Sequence, residues 1–348
     1  MNMSGRYKVN IMAINIRDIA KAAGVSITTV SKVINDRPNV SEKTRARVKE
    51  IIRNEQFIPN HTARGLVKGK SKTIGLFLTT SLSHPFFSNV MIGLEVALKK
   101  TGYDLLYLTR SRINPEYNMV QHCLSRNVEG VLIFGFQRND LNFDEMIQSE
   151  IPTIFIDLDL IGPRAGFVTS DNNEGIQLAV QYLHELKHQK IAFVSGHLDS
   201  YVGKIRFEGY RQALQKLGLT YSPQYIYMGD FTKESGCKAM EAFLKFDEPP
   251  TAIVCSSDMS AIGVMEVAIA AGLQVPRDLS VIGFDDIQMA EHTQPTLTTI
   301  HQDFYTIGEQ ALLLLIDLIN QSNFPPPSLI IPTKLITRNS CAVCKENL

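Results

Sequence analysis

Five residues carry groups that could hold a small polar molecule. Asp258 closes "AIVCSSD" and Asp285 stands in "LSVIGFDD", and a carboxylate there accepts hydrogen bonds from neighbouring hydroxyls. Arg206 in "KIRFEGY" offers a planar fork of donors. Phe86 in "SHPFFSNV" and Phe231 in "GDF" can each lay a ring face against a ligand ring. This is chemistry of holding rather than of turnover. The chain has no phosphate-cradling GxxxxGK[ST], no GxSxG elbow and no HExxH. Its eight histidines are scattered, and His184 and His188 share a helix face with no third ligand in view. Cys341 and Cys344 form a CxxC without the second pair a zinc site needs. Neither an enzyme nor a metal or other cofactor is expected. Some of these residues have a structural alternative: Asp258 and Asp286 suit helix caps, and Phe87 suits a core.

The elements that must position these side chains follow from apolar patterning. From Lys72 onward, short apolar runs alternate with amphipathic segments. The strand candidates are "TIGLFLTT", "YDLLYLT", "VEGVLIFGF", "IPTIFIDLD", "KIAFVSG", "YIYMGDF", "AIVCSSD" and "LSVIGFDD". "FFSNVMIGLEVALKKTG" and "EGIQLAVQYLHELKH" are helical in pattern. Alternation of this kind predicts parallel sheets flanked by helices, and the strands are too many for one comfortable sheet. Two doubly wound lobes are expected. The runs finish in polar residues, among them Thr79–Thr80, Asp157, Asp230, Ser257–Asp258 and Asp285–Asp286. Ligands of such sheets bind beyond the carboxyl ends of the strands, so two lobes facing each other there form a cleft.

A net charge of zero conceals a division. Residues 1–72 hold fifteen Lys and Arg against five Asp and Glu, and the remainder holds 20 basic against 30 acidic groups. A basic module on an acidic body points the first part toward a polyanion. In "INIRDIAKAAGVSITTVSKVIN", Ile16, Ile19, Ala20 and Ala23 recur at helical spacing until Gly24. Ser26 is a natural N-cap for a second helix with Val30 and Val33 inward. A third helix is predicted from Ser41, burying Val48, Ile51 and Ile52. Two helices joined by a tight glycine turn form a helix-turn-helix, and side chains just after the second N-cap face base edges. No apolar run approaches the ~18 residues of a membrane span, and there is no secretory leader, so a cytoplasmic chain is expected.

The motifs "RDIAKAAGVSITTVSKVIN", "VSEKTRARV", "IPNHTARGL", "KTIGL", "DLSVIGFDD" and "PTLTTIHQD", in this order, resemble the lactose/galactose-repressor (LacI/GalR) family of bacterial transcription regulators. The likeness runs over nearly the whole chain. It implies an N-terminal all-α helix-turn-helix head and an α/β core of two doubly wound parallel-sheet lobes, like a periplasmic binding protein. The expected divisions are an extension at 1–14, the head at 15–58, a hinge helix and linker at 59–71 and the core at 72–345. The first lobe would take about 72–171 and 303–331, the second about 172–302 and 332–345.

By the same resemblance, the partners are double-stranded DNA with a pseudopalindromic operator, a second copy of the chain, and a small effector of the carbohydrate class. Base reading is expected from Ile27, Thr28 and Lys32, and phosphate contact from Thr29, Asn35 and Ser41. Asn60, Arg64 and Leu66 lie in a hinge that becomes helical in the minor groove. There Leu66 wedges between base pairs, unstacking a step in exchange for a bend. Asp285, Arg206 and Phe231 match effector-holding positions; Phe86 and Phe87 lie in a loop approaching the effector, and Asp171 in "TSDNNEG" matches as well. The alternatives are a catabolite-control-type regulator taking a phosphorylated carrier protein as co-repressor, suggested by "TIHQDFYTIG", and a solute-binding protein. The chain departs from the family at Lys32, where arginine is common, at Lys187, where a turn usually has glycine, and in its first eleven residues. With no leucine heptads after the last core segment, a coiled-coil tetramer is not expected.

Overall fold

The computed structural model describes residues 14–57, 70–78, 87–109, 116–135, 141–321 and 325–345. The chain forms two compact units, Met1–Ser71 and Lys72–Leu348.

The first unit has three helices: α1 (Ile16–Ala23), α2 (Ile27–Ile34) and α3 (Glu42–Asn54). The Asn15 side chain accepts from the backbone N–H of Arg17 and Asp18, and Asp18 returns a carboxylate to the Asn15 N–H. This reciprocal box satisfies donors that a helix start otherwise leaves open. Gly24, at φ 58, ends α1 in the left-handed region, where a side chain would be strained. The Ser26 hydroxyl then caps α2 through the Thr29 N–H at 3.1 Å. Ile19, Ala20, Ala23, Val30, Val33 and Val48 form the small core, with Ile51, Ile52 and Phe57 partly buried at its rim.

The second unit holds two six-stranded sheets. In chain order its elements are β1 (Thr73–Leu78), α4 (Phe87–Thr101), β2 (Asp104–Leu108), α5 (Met119–Ser125), β3 (Gly130–Phe134), α6 (Leu141–Gln148), β4 (Thr153–Ile156) and β5 (Ala165–Ser170). Next come α7 (Asn172–Glu185), β6 (Ile191–Val194), α8 (Tyr201–Lys216), β7 (Ile226–Tyr227), α9 (Lys233–Phe243), β8 (Ala252–Cys255), α10 (Asp258–Ala270) and β9 (Ser280–Asp285). The last are β10 (Thr298–His301), α11 (Phe304–Asn320), β11 (Ser328–Ile331) and β12 (Lys334–Ile336). The first sheet runs β11-β5-β4-β3-β1-β2 and is parallel throughout. The second runs β12-β10-β9-β8-β6-β7 and is parallel except for β12 against β10. The chain therefore passes between lobes three times: after β5, after β10 and after β11.

Buried strands explain the unbroken apolar runs, since both faces of a parallel sheet are covered. In the first lobe α4 and α11 share a core with Ile74, Leu76, Leu132 and Ile154. These two helices cross so closely that a Cβ on Gly93 would stand 2.0 Å from the Tyr305 carbonyl oxygen, and one on Gly308 2.1 Å from that of Val90. Only glycine fits both positions. The expected strand "YIYMGDF" shrinks to the two residues of β7, because the chain then turns into the cap of α9 at Thr232. Four strands, β5, β10, β11 and β12, were not among the expected runs. Lys187 stands at φ 70, so the turn keeps its left-handed geometry without the usual glycine.

Candidate functional site

In the first unit, Ile27, Thr28 and Lys32 are exposed, and Ile27 retains 44% of its surface. They lie at the start and middle of α2, with Val30 and Val33 turned inward. The Thr29 hydroxyl meets that of Ser26 at 2.9 Å. Two expected phosphate contacts have side chains committed elsewhere. Ser41 is the N-cap of α3: its Oγ accepts from the Thr44 N–H at 3.3 Å and donates to the Thr44 hydroxyl. The Asn35 amide donates to the Ser31 carbonyl at 2.9 Å. Arg45 is likewise engaged, donating to the Arg37 carbonyl at 2.8 Å and pairing with Asp36 at 3.3 Å. Among the described residues of this unit, the exposed bases are Arg17, Lys21, Lys32, Arg37, Lys43, Arg47, Lys49, Arg53 and Lys70. Asn60, Arg64, Leu66 and Phe86 lie outside the described residues.

In the second unit the polar cluster is built on Arg206, which is 4% exposed on α8. Its Nε donates to Asn172 Oδ1 at 2.7 Å and its Nη1 to the Ser256 carbonyl at 2.6 Å. Nη1 lies 3.6 Å from Asp285 Oδ1. The guanidinium stacks over the Phe284 ring, 3.8 Å from its centroid, and stands 5.9 Å from that of Phe231. Asp285 ends β9 and is itself held by the Gln302 amide at 2.7 Å. The first lobe contributes Asp157, just after β4, which accepts from the Thr169 hydroxyl at 3.0 Å. Asn172 joins the two sides: its amide donates to Thr169 Oγ1 and to the Ser170 carbonyl while its oxygen receives Arg206. The cluster thus sits where two of the three passages between lobes begin, at the carboxyl ends of the strands.

Backbone strain gathers there too. Asp157 (φ 59), Phe231 (φ 69), Asp285 (φ 125) and Asp286 (φ 59) all have positive φ. Such conformations cost on the order of 1–3 kcal/mol each and persist where the surroundings over-determine them. The electrostatics follow from burial. Desolvation pushes Asp285 well above the usual carboxylate range, against the opposing pull of Arg206 and with Asp258 adding to the rise. Burial also raises Asp157, offset in part by Arg206 and the Thr169 hydroxyl. For Arg206, burial lowers the pKa while Asp285, Asp157 and Asp258 raise it. One cation thus serves three buried carboxylates.

Three expected effector contacts have side chains engaged within the fold. Asp258 is fully buried, and its oxygens accept the Ile287 N–H at 2.8 Å and the Thr299 hydroxyl, so it ties α10 to the sheet. Ser257, not Asp258, caps that helix. Phe87 is 6% exposed and packs edge-on against Phe134 in the first lobe's core. Asp171 caps α7, its carboxylate accepting the Glu174 N–H at 2.9 Å. Asp286 is no cap either, but pairs with Arg338 at 2.8 Å and His301 at 2.9 Å. Conversely, sequence reasoning did not single out Asn172, Gln302 or Phe284. Asp157 had the only readable signal, a polar residue closing an apolar run.

A helix-turn-helix unit joined to a two-lobed core with a polar cluster at its strand ends defines a DNA-binding regulator with a ligand-binding type of core. Residues 15–60 match the family described as bacterial regulatory proteins, lacI family, and residues 180–341 match a periplasmic binding protein-like domain. The chain is 35% identical over 333 residues to the HTH-type transcriptional repressor CytR of Escherichia coli (strain K12), covering 94% of this chain and 96% of the relative. It is 33% identical over 330 residues to the repressor PurR of Aliivibrio salmonicida (strain LFI1238), covering 93% and 98%. Among solved structures, the lac repressor dimer bound to operator and the anti-inducer ONPF superposes with a TM-score of 0.83 at 28% identity, over 94% of this chain and 99% of that one. The transcriptional regulator CelR–cellobiose complex gives 0.72 at 31%, with the same coverage. The chain belongs to the lacI family of bacterial regulatory proteins, and it is a helix-turn-helix transcriptional regulator. Among the described residues, no helix is long and apolar enough to cross a membrane.

Proposed function

We propose that the chain is a cytoplasmic repressor that binds a pseudopalindromic operator as a homodimer, with its operator affinity set by a hydroxyl-rich effector of the carbohydrate class. The observation that carries this reading is the Arg206 cluster, which draws Asp157 from one lobe and Asp285 and Gln302 from the other. A molecule bound there changes the balance of a hydrogen-bonded link between lobes, and so the angle between them. The Ile27, Thr28 and Lys32 surface of α2 reads bases, and the surrounding exposed Lys and Arg meet phosphates. The lac repressor dimer with its operator and the cellobiose complex of CelR support both halves of the reading.

The test combines a thermal-shift screen of sugars on the full chain with operator selection from random duplexes. Asp285→Ala and Arg206→Ala should each abolish the effector response in a protein that still binds operator. Effector affinity unchanged in both variants, measured by calorimetry, removes the pocket from consideration.

A further inference from the structure

The first unit carries an acid at the end of α2, where neither the helix nor a polyanion favours one. The helix closes in a Schellman turn: the Arg37 N–H donates to the Lys32 carbonyl at 2.9 Å and the Asp36 N–H to that of Val33 at 3.2 Å. The residue at the turn must be left-handed, and Asp36 takes that place at φ 46, where glycine is the usual occupant. A carboxylate there also stands at the negative end of the α2 dipole. What it meets is a pair of cations one turn apart on α3. Arg45 Nη1 lies 3.3 Å and Lys49 Nζ 3.4 Å from Asp36 Oδ1. Arg45 also donates to the Arg37 carbonyl at 2.8 Å, which ties the loop after α2 to α3. The Asp36 side chain is 74% exposed, and ion pairs so exposed stabilise a fold little. Stability therefore does not account for the carboxylate. Its effect on charge does: Arg45 and Lys49 present two positive charges without it and a net of one with it.

We propose that Asp36 is a specificity-determining residue, holding Arg45 and Lys49 away from phosphates when the duplex lacks the preferred sequence. This rests on the base-reading surface of Ile27, Thr28 and Lys32 proposed above. Binding to an arbitrary duplex comes almost wholly from Lys and Arg meeting phosphates. There the protein is free to slide to whichever register uses the most cations, so two withheld cations count in full. On a preferred site the base contacts fix one register, and a freed side chain reaches only the phosphates which that register offers. The carboxylate thus weakens arbitrary binding more than it weakens operator binding.

The test uses the full chain, the duplex it selects from a random pool, and a scrambled duplex of the same composition, titrated by fluorescence anisotropy at several salt concentrations. Asp36→Asn removes the charge and tolerates the left-handed turn, whereas Asp36→Gly removes the charge and relaxes the turn. Both variants should bind the scrambled duplex several-fold more tightly. The slope of log K against log[salt] should steepen by about 0.9 for each cation released to a phosphate. Operator affinity should rise less, so the ratio of the two affinities falls. Adding Lys49→Gln to Asp36→Asn should take back part of the steepening. If Asp36 only shapes the turn, Asp36→Gly will match the parent on both duplexes with an unchanged salt slope, and that result overturns the proposal. Equal gains on both duplexes overturn it as well, while leaving DNA binding and base reading in place. A parent chain that binds the selected and scrambled duplexes alike removes the base-reading surface and the proposal together.

Discussion

Replacing Arg206 by leucine removes a buried cation and leaves its counter-charges in place. The variant loses donors to Asn172 and Ser256 at 2.7 and 2.6 Å and the stack on Phe284. Breaking a buried pair by deleting one partner costs about 3–5 kcal/mol, much of it from the stranded charge. The stranded groups can take up protons, so the cost depends on pH. Arg206 is the leading influence that lowers both Asp285 and Asp157, which burial already holds high. Without it both titrate higher still. A carboxylate whose folded pKa lies above its unfolded value contributes most to stability in acid, and that contribution falls as pH rises through the folded pKa. The deficit of Arg206→Leu should therefore grow from acid toward neutral and alkaline pH, by about 1.4 kcal/mol for each unit of extra upward shift. Because the chain has no tryptophan, urea unfolding is best followed by circular dichroism, at mildly acid and mildly alkaline pH. A deficit below about 1 kcal/mol, or one equal at both pH values, would refute the account of a cation balancing buried acids.

Asp258→Asn keeps an acceptor for the Ile287 N–H and puts an amide donor where the carboxylate accepted from the Thr299 hydroxyl; since burial raises Asp258 from 3.8 to about 6, the pH dependence of core stability across that interval should flatten. An unchanged unfolding profile would show that Asp258 does not titrate there. Ser41→Ala strips the cap from α3 and should cost the head about 1 kcal/mol, measured as a lowered head melting transition. Exchanging Ile27 and Thr28 should reorder the preferred operators in a randomised-duplex selection while leaving non-specific affinity nearly constant; the same ranking in both proteins would move base reading elsewhere. Gly93→Ala puts a methyl 2.0 Å from the Tyr305 carbonyl, so it should destabilise the first lobe by about 1–3 kcal/mol in urea melts.

The head was readable because its signals are local. Gly24, Ser26 and Ser41 act on residues three or four positions away, and the apolar spacing needs only one turn of look-ahead. The long apolar strands were readable for the same reason, while "AGFVTS" and "TTIH" were not, being short and rich in small or polar residues. The site divided along the same line. Arg206 and Asp285 do share one cluster. Asp258, equally acidic and equally at a strand end, is instead held by partners 29 and 41 residues away, which no local pattern announces. Phe87 belongs to a core that residues distant in the sequence, Phe134 among them, come together to form. Asn172 gains its place from the passage between lobes, a feature of topology rather than of spacing.

The three passages between lobes also bear on how the chain can be made. The last strand of the first sheet and the helix that covers it come from residues 304–331, long after β1–β5 have been synthesised. Until then Ile74, Leu76, Leu132 and Ile154 lack their cover of Ile307, Leu312 and Leu315. The second sheet waits as long, for β12 and for the Ser340 carbonyl that receives the Val281 N–H. Emerging from a ribosome, neither lobe can finish ahead of the other. A premature stop just before residue 304 would therefore yield two unfinished lobes with exposed apolar faces, a target for chaperones and proteases, attached to a head whose own small core is complete by residue 57.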